Sequence, residues 1–252
     1  MEPKILLLDI ETKPDLAWVW RVYDSNAIQV HAHWQLLSYS AEWLASGKSV
    51  TRGLCDFAGY KPSSNDKALA QDLWHLLDEA DIVVAHNGLN FDIRKINARF
   101  IAHGMTPPSP YKVVDTRVEA SRVAAFSSNK LDWLCRQLEI GHKLEKPDGY
   151  QMWLDCIDGD VKAWARMKRY NRHDVVLLKQ LYTMLSPWIK QPNANLWSDR
   201  SVCPNPACGS KNIQYRGTYL SEARRYRRFQ CKDCGKWGHD THSTSGVFVK
   251  GV

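Results

Sequence analysis

Short apolar runs alternate with helical patterns of apolar residues along residues 4–187 of the chain. Continuous apolar runs, which are typical of buried strands, occupy residues 4–10, 81–88 and 111–116. Two segments of β-type composition predict further strands at 34–44 and 49–55. Apolar residues at helical spacing predict helices at 64–80, 90–104, 116–124, 129–140 and 159–186.

The order of these elements predicts the fold class. Three β segments of antiparallel character come first, and strands then alternate with helices, which is typical of a mixed α/β sheet with helices on its faces. Pro187 stops the last helix, and the polar segment 189–199, which contains Pro and Asn, predicts a linker. We therefore expect one domain over residues 1–188 and a second, small domain over residues 200–252.

Composition limits the class of protein. The 252-residue chain is 44% hydrophobic and 11% aromatic, which is enough for a packed core. No apolar run approaches the roughly 20 residues that span a bilayer, and the N-terminus lacks the features of a signal peptide. We therefore expect no membrane partner and a cytoplasmic location, where thiols stay reduced.

The positive charge is concentrated near the C-terminus. Residues 196–252 contain ten Lys or Arg and four Asp or Glu, so they carry +6 of the formal net charge of +7. A basic module beside a nearly neutral body is typical of proteins that contact polyanions. A solubilising tail is the alternative.

The same segment holds two close cysteine pairs, separated by residues 209–230. The four cysteines are Cys203, Cys208, Cys231 and Cys234. Pairs of this kind, each beside a turn with Pro or Gly, predict a tetrahedral zinc site with four cysteine ligands. A small segment with few large apolar side chains buries little core, so one structural Zn²⁺ would stabilise it directly. Disulfides, or a site that uses His239 or His242, are the alternatives.

Arginines alternate with aromatic residues between the cysteine pairs. The arginines are Arg224, Arg225, Arg227 and Arg228, with Tyr219, Tyr226 and Phe229 around them. Basic side chains neutralise phosphates and aromatic faces stack on unpaired bases, so the pattern indicates a zinc ribbon that binds nucleic acid. A solvated hairpin with basic edges and a protein-docking surface are the alternatives.

Four carboxylates lie near the ends of predicted strands or in a helix. Asp9 and Glu11 follow the first apolar run, Asp92 follows the run at 81–88, and Asp174 lies in the last helix, four residues after Tyr170. If they converge, they would repel one another unless cations neutralise them. Oxygen-only ligation favours Mg²⁺ or Mn²⁺ over Zn²⁺, and two such ions about 4 Å apart can clamp a phosphodiester for hydrolysis.

Each of these motifs is weak by itself. An Asp-x-Glu at the end of a strand is common, and it can mark an ordinary exit into a loop. A second Tyr-x-x-x-Asp occurs at Tyr111 and Asp115, in a predicted strand. The order and context of the motifs therefore carry the prediction.

Three motifs occur in a specific order: DIET (9–12), HNGLNFD (86–92) and YNRHD (170–174). In this order they resemble the DEDD 3′–5′ exonucleases of the ribonuclease H-like superfamily, over about residues 4–187. The tyrosine four residues before the last aspartate resembles the tyrosine branch, and the motifs are most similar to proofreading domains of family B DNA polymerases. The resemblance implies a ribonuclease H-like mixed sheet, two Mg²⁺ or Mn²⁺ ions, and removal of nucleotides from a 3′ end.

The resemblance also implies a role for each residue. Asp9 would bridge both ions, Glu11 and Asp174 would complete the site of the ion that holds the attacking water, and Asp92 would serve the second ion. Tyr170 would orient or deprotonate that water. The residues that match the family's contacts to the 3′-terminal nucleotides are Thr12, Asn87 and Phe91.

We therefore expect a 3′–5′ exonuclease that acts on single-stranded DNA or on 3′ ends of duplex DNA, in a prokaryotic cell or a phage-infected host. No polymerase motif follows in the sequence, so we expect an enzyme that works alone or beside a replication or repair protein. RNA is the alternative substrate, and a non-catalytic nucleic-acid-binding protein is the alternative function. His86 is expected to be structural, and His173 to be a neighbour of the site.

Overall fold

The computed structural model describes residues 2–21, 23, 26–145, 149–198 and 201–246. Its strands are β1 (Ile5–Lys13), β2 (Leu16–Val19), β3 (Ala27–Ala32), β4 (Gln35–Trp43), β5 (Ser49–Gly53), β6 (Ile82–Ala85), β7 (Lys112–Asp115), β8 (Ile213–Leu220), β9 (Arg224–Cys231), β10 (Trp237–His239) and β11 (Ser245–Gly246). Its α-helices are α1 (Lys67–Glu79), α2 (Asp92–Ala102), α3 (Thr116–Val123), α4 (Leu131–Gln137), α5 (Gln151–Ile157) and α6 (Val161–Leu185).

The central sheet has five strands in the order β5-β4-β1-β6-β7. β4 pairs antiparallel with both β5 and β1, whereas β1, β6 and β7 run parallel to one another. This arrangement confirms the predicted mixed α/β sheet. All five strands coincide with apolar or β-type segments of the sequence, and the central strands β1 and β6 have continuous apolar runs because both of their faces are buried.

The alternation of side chains along β1 divides the core into two layers. Leu6, Leu8 and Ile10 pack with α1 on one face of the sheet. Ile5 and Leu7 pack with the C-terminal half of α6 on the other face. Since successive side chains of a strand point to opposite faces, the next two odd positions of β1 also face the α6 side.

Two elements escaped the sequence analysis. β2 and β3 form a separate antiparallel hairpin whose side chains are largely exposed. The helix α5 buries Met152, Trp153 and Cys156, and it packs beside α6. Neither element has a long periodic pattern: the hairpin has no buried face, and α5 is short.

The C-terminal part of the described chain forms a second, small sheet, called the C-terminal sheet below. β9 lies at its centre and pairs antiparallel with β8 on one side and with β10 and β11 on the other. This sheet, with four cysteines beside it, is compatible with the predicted zinc ribbon. The predicted domain boundaries stay a prediction.

The segment predicted as a linker contacts both parts of the chain. Ile189 is fully buried in the core layer under α6. The Ala194 amide donates to the Pro204 carbonyl, and a short 3-10 helix spans Ala194–Trp197. The segment is therefore packed along much of its described length, down to Ser198.

Within the described ranges, no helix is long and apolar enough to cross a membrane.

Candidate active site and metal centres

β1 carries the first two carboxylates, and both are half-buried. Asp9 and Glu11 occupy odd positions of the strand, so they share the face of Leu7 and point toward α6. The apolar run had predicted that both carboxylates lie at the end of the strand. The strand in fact continues to Lys13, so both carboxylates lie within it. β6 pairs only with Ile5–Leu7, and this leaves the carboxylate-bearing half of β1 open on that edge.

The helix α6 supplies the other part of the site. Tyr170, Asn171 and Asp174 are buried on the side of the helix that faces the sheet. Residues three and four apart in a helix share one face, and this places the three side chains together. β4 presents Ser38 and Ser40 opposite Glu11 and Asp9, and these small side chains leave room for the helix.

Three of the predicted carboxylates come together between β1 and α6. Asp9, Glu11 and Asp174 each offer an oxygen within 4.8 Å of the others, and they are called the acidic cluster below. Two like unit charges at such a distance repel by about 3 kcal/mol at an effective dielectric constant of about 20. Burial first, and then the charges of Asp92, Asp174 and Glu11, raise the pKa of Asp9 well above its usual range. An all-oxygen donor set of this kind fits Mg²⁺ or Mn²⁺.

Asp92, the fourth predicted carboxylate, lies beside the acidic cluster but is not one of its members. It is the first residue of α2 and is buried, and its Oδ1 accepts a hydrogen bond of 3.2 Å from the Ile10 amide of β1. Burial raises the pKa of Asp92 to about 7, although two backbone hydrogen bonds lower it. The open edge of β1 thus holds Asp92 in place through a hydrogen bond, and Asp92 is the carboxylate that the family resemblance assigns to the second ion.

Lys143 brings a positive charge into the cluster. Its Nζ lies 2.6 Å from Asp174 Oδ2 and 3.3 Å from the Tyr170 hydroxyl oxygen. Burial lowers the pKa of Lys143, but the charge and hydrogen bond of Asp174 outweigh burial and raise it above its usual range. One ammonium against four carboxylates still leaves most of the negative charge uncompensated. The sequence analysis missed Lys143, which lies in a loop and belongs to no motif.

Asn171 is a second residue that the sequence analysis missed. Its side-chain amide donates to the Asp9 carboxylate at 2.5 Å and to the Asp9 carbonyl at 3.2 Å. The side-chain oxygen of Asn171 accepts from the Ser38 hydroxyl at 3.2 Å. Asn171 therefore fixes the orientation of Asp9. Its position three residues before Asp174 on one helix face was the available signal.

Aromatic rings border the cluster on the α5 side. Trp153 donates from its indole nitrogen to Glu11 Oε2 at 3.2 Å, and its ring meets the Tyr170 ring edge-on at 6.1 Å. The half-exposed ring of Tyr150 stacks parallel to Trp153, also at 6.1 Å. This row of rings leads from the acidic cluster to solvent.

The turn before α2 is held in place by Asp115. Its carboxylate accepts from the Asn87 and Leu89 amides and also caps α3. Asn87 has a positive φ of 69°, and a Cβ on Gly88 would lie 2.5 Å from the Ala85 side chain, so the Asn-Gly pair suits this turn. These contacts give Asp115 a structural role beside the site.

The three predicted nucleotide contacts lie around this turn and β1. Thr12 follows Glu11 at a β-bulge and is half-buried, and Phe91 leaves 37% of its surface exposed. The Asn87 side-chain oxygen accepts from Arg117 at 2.8 Å. Their roles in binding stay a prediction.

The histidines near the site make structural contacts. The ring nitrogens of His86 contact the Thr116 hydroxyl at 2.9 Å and the Asn129 carbonyl at 3.0 Å, and burial lowers the pKa of His86 to about 4. His173 contacts the His142 carbonyl at 2.8 Å. Neither histidine is a member of the acidic cluster.

The cysteines form a second candidate metal centre. The sulfurs of Cys203, Cys208, Cys231 and Cys234 all lie within 4.8 Å of one another, and all four cysteines are free thiols. The sulfur distances are 3.5 Å for Cys203–Cys234 and 3.9 Å for Cys208–Cys231. A Zn–S distance of about 2.3 Å implies about 3.8 Å between sulfurs of a tetrahedron, so this group fits Zn²⁺. Neither His239 nor His242 belongs to the group.

The four predicted nucleic-acid-binding arginines lie on β9 and are all exposed. Consecutive residues of a strand point to opposite faces, so Arg224 and Arg228 share one face and Arg225 and Arg227 share the other. Arg227 forms an ion pair with Asp240 at 2.7 Å. The structure therefore divides the arginines into two pairs with different surroundings.

Comparisons with known proteins agree with the fold and the motifs. A family model described as RNase_H_2, of the RNase_H superfamily, matches residues 6–186. The PolC-type DNA polymerase III of Ureaplasma parvum is 37% identical over 108 residues, which are 41% of this chain and 7% of that protein. The family B DNA polymerase structure from the hyperthermophilic archaeon Pyrobaculum calidifontis has a TM-score of 0.52 and 15% identity, and the match covers 74% of this chain and 25% of that one.

These matches have different weight. The chain spans a small part of both polymerases, and the structural match, at 15% identity, shows the fold alone. The family model covers most of the chain, including all three acidic motifs. The chain therefore belongs to the RNase_H superfamily, with the fold and the four acidic residues of a DEDD exonuclease.

Proposed function

We propose that this chain is a metal-dependent 3′–5′ exonuclease that hydrolyses phosphodiester bonds at the 3′ end of single-stranded DNA. The observation that supports it most is the acidic cluster between β1 and α6, with Asp92 beside it. Like charges held this close in a partly buried site are costly unless cations hold them, and two divalent ions would balance the four carboxylates.

The residues of the cluster would hold the ions. Asp9, Glu11 and Asp174 would bind one ion, and Asp92 with Asp9 would bind the second. When bound, the ions supply an activated water and stabilise the leaving oxygen of the phosphodiester. Asn171 keeps the Asp9 carboxylate in the orientation that both ions require.

Tyr170 and Lys143 would act on the attacking water and the phosphate. Burial, together with the charge of Asp174, raises the pKa of Tyr170 above its usual range, so its hydroxyl keeps its proton. A protonated hydroxyl orients a water by hydrogen bonding and does not deprotonate it. Lys143 holds Asp174 and Tyr170 together and places a positive charge where the phosphate binds.

Exposed rings near the cluster favour a single-stranded end. The exposed ring of Tyr150 stacks on Trp153, which donates to Glu11, and the partly exposed ring of Phe91 directly precedes Asp92. Rings stack on unpaired bases, whereas the bases of a duplex already stack on each other. We therefore propose an unpaired 3′ end as the substrate.

The sequence match to a PolC-type DNA polymerase III favours DNA over RNA and a role in replication or repair, beside a partner protein of that process. The four-cysteine group would hold one structural Zn²⁺ and support the C-terminal sheet, which would assist nucleic-acid binding through the arginines of one face, Arg224 and Arg228. RNA is the competing substrate.

A cleavage assay tests this proposal. Single strands of DNA and RNA, labelled at the 5′ end, are incubated with Mg²⁺ or Mn²⁺ and resolved by length. We expect DNA ladders that shorten from the 3′ end, and loss of at least about a thousandfold in rate for Asp9→Ala and Asp174→Ala. Asp158→Ala, an exposed carboxylate at the end of α5, is the matched control and keeps full activity. Activity that persists in both cluster variants, or its absence in the wild type, refutes the mechanism. Faster cleavage of RNA refutes the proposed substrate.

A further inference from the structure

We propose that one face of the C-terminal sheet is a binding surface for unpaired nucleobases. This surface, called the aromatic face below, consists of Tyr219, Tyr226, Trp237 and His239 with Arg216, Arg224 and Arg228. The inference deepens the proposed function and rests on its nucleic-acid substrate, but it concerns a surface separate from the acidic cluster.

The strand register places these residues on one face. Directly paired residues of antiparallel strands share a face, and the pairs here are Tyr219 with Tyr226 and Arg228 with His239. Positions two apart along β9 add Arg224, since it precedes Tyr226 by two residues. The rings confirm the grouping: Tyr219 stacks on His239 at 4.2 Å with an interplanar angle of 4°.

The guanidinium groups of this face lie against its rings. The Arg228 guanidinium is 4.7 Å from the centre of the Trp237 ring, and that of Arg216 is 6.0 Å from it. Such cation–π contacts hold flat cationic groups beside flat aromatic ones. A nucleotide offers the matching pair of groups, a phosphate for the arginines and a base for the rings.

The rings of the aromatic face are not needed for the core of the module. Phe229 and Cys231 are buried, and they point to the opposite face of β9. That opposite face therefore carries the small core and the candidate zinc site. Tyr219 and Trp237 each leave 44% of their surface exposed, so both rings are accessible to a base.

The distribution of charge selects the kind of partner. None of the described strand positions on the aromatic face is acidic, and the hydrogen bonds of Arg216 and Arg228 go to the neutral oxygens of Gln230 and Arg216, so both guanidinium groups keep a positive charge that a phosphate can neutralise. On the opposite face, by contrast, Asp240 pairs with Arg227 and accepts from the Tyr215 hydroxyl at 2.9 Å. An acid-free surface of rings and arginines matches single-stranded nucleic acid, which combines phosphates with open base faces.

Two pairs of matched variants test the aromatic face. Tyr219 and Tyr215 both lie on β8 with similar exposure, 44% and 46%, but on opposite faces. Arg224 and Arg225 are consecutive and exposed, and they also lie on opposite faces. Within each pair, the two substitutions remove the same type of side chain, a tyrosine or an arginine, from opposite faces of the C-terminal sheet.

The full-length protein is titrated into 5′-fluorescein-labelled oligo(dT), without Mg²⁺ and without chelator, and anisotropy is recorded at several salt concentrations. We expect Tyr219→Ala to weaken binding about tenfold, the effect of removing one stacked ring, and Tyr215→Ala to change it less than about twofold. Arg224→Gln should reduce the salt dependence by about one phosphate contact, and Arg225→Gln should not. Zinc content and the thermal midpoint show whether each variant is folded.

If the two variants of each pair bind oligo(dT) with equal affinity and equal salt dependence, the aromatic face is not a nucleic-acid surface. A protein-docking face would give that result. The arginine pair decides the question if Tyr219→Ala does not fold. The outcomes also separate this inference from the proposed function. A chain that cleaves DNA normally but shows no difference within the pairs refutes the aromatic face alone. A chain that binds oligo(dT) through Tyr219 but does not cleave it refutes the exonuclease alone.

Discussion

The substitution Asn171→Ala isolates the positioning of Asp9 from the chemistry of the carboxylates. Asn171 is fully buried, and its amide donates both to the carboxylate and to the carbonyl of Asp9. Alanine removes both donors but retains helix propensity and all four acidic residues. The Asp9 carboxylate then loses the side-chain contact that fixes its orientation toward the ions.

The expected size of the effect follows from that contact. A hydrogen bond to an ionised group contributes about 1.5–3 kcal/mol. Since about 1.4 kcal/mol corresponds to a factor of ten, the apparent affinity for Mg²⁺ should fall by about 10- to 100-fold, the range found for partners that orient metal ligands. The maximal rate at saturating Mg²⁺ should fall less, because the ions themselves restore the orientation of Asp9.

The assay is the initial rate of single-strand cleavage as a function of Mg²⁺ concentration. Ser38→Ala is the matched control, since it removes only the hydroxyl that donates to Asn171 and leaves both bonds to Asp9 in place. It should shift the Mg²⁺ half-saturation less than Asn171→Ala does. A folded Asn171→Ala protein with the Mg²⁺ dependence of the wild type would show that Asn171 does not position Asp9.

Three further predictions follow from single contacts. Trp153→Phe keeps an aromatic ring but removes the donor to Glu11, so the steady-state cleavage rate should fall by up to about 10- to 100-fold, which corresponds to about 1.5–3 kcal/mol for one hydrogen bond to a charged group; an unchanged rate contradicts that role. Burial lowers the pKa of His86 to about 4, from about 6.5 when unfolded, so the unfolded chain binds more protons between these values. The free energy of unfolding should be unaffected by His86 above pH 6.5 and should lose up to about 3 kcal/mol as pH falls to 4, a slope that His86→Gln flattens in urea titrations. Cys208→Ser should release zinc, measured by atomic spectroscopy, whereas Cys55→Ser, outside the group, should retain it.

The elements that the sequence predicted have local signals. The strands β1 and β6 are buried on both faces and need unbroken apolar runs, and the longest helix, α6, repeats its apolar face over many turns. The hairpin of β2 and β3 has no such signal, because its side chains are largely exposed and no apolar face alternates with a polar one. The helix α5 is held by packing against α6, and seven residues are too few for a clear helical period.

The residues of the candidate site also fall into those with a signal in the sequence and those without one. Asp9, Glu11, Asp92 and Asp174 lie in motifs whose order along the chain is distinctive, so they could be selected from the sequence. Lys143 and Trp153 reach the acidic cluster only through the fold: one comes from a loop and the other from a helix that lies far from β1 in sequence. Such contacts depend on tertiary structure, which spacing along the chain does not encode.

The contacts between the C-terminal module and α6 connect the two proposed nucleic-acid sites. Asn205, within the first cysteine pair, donates to the Ser186 hydroxyl at 3.0 Å, and its own side-chain oxygen accepts from Gln191 at 2.8 Å. Lys236, within the turn after the second pair, donates to the Ile189 carbonyl at 2.5 Å. The candidate zinc site is therefore attached to the C-terminal end of the helix that carries Tyr170 and Asp174. A single-stranded nucleic acid bound to the aromatic face would thus have a raised effective concentration at the acidic cluster. Binding at each surface would therefore strengthen binding at the other without any new contact.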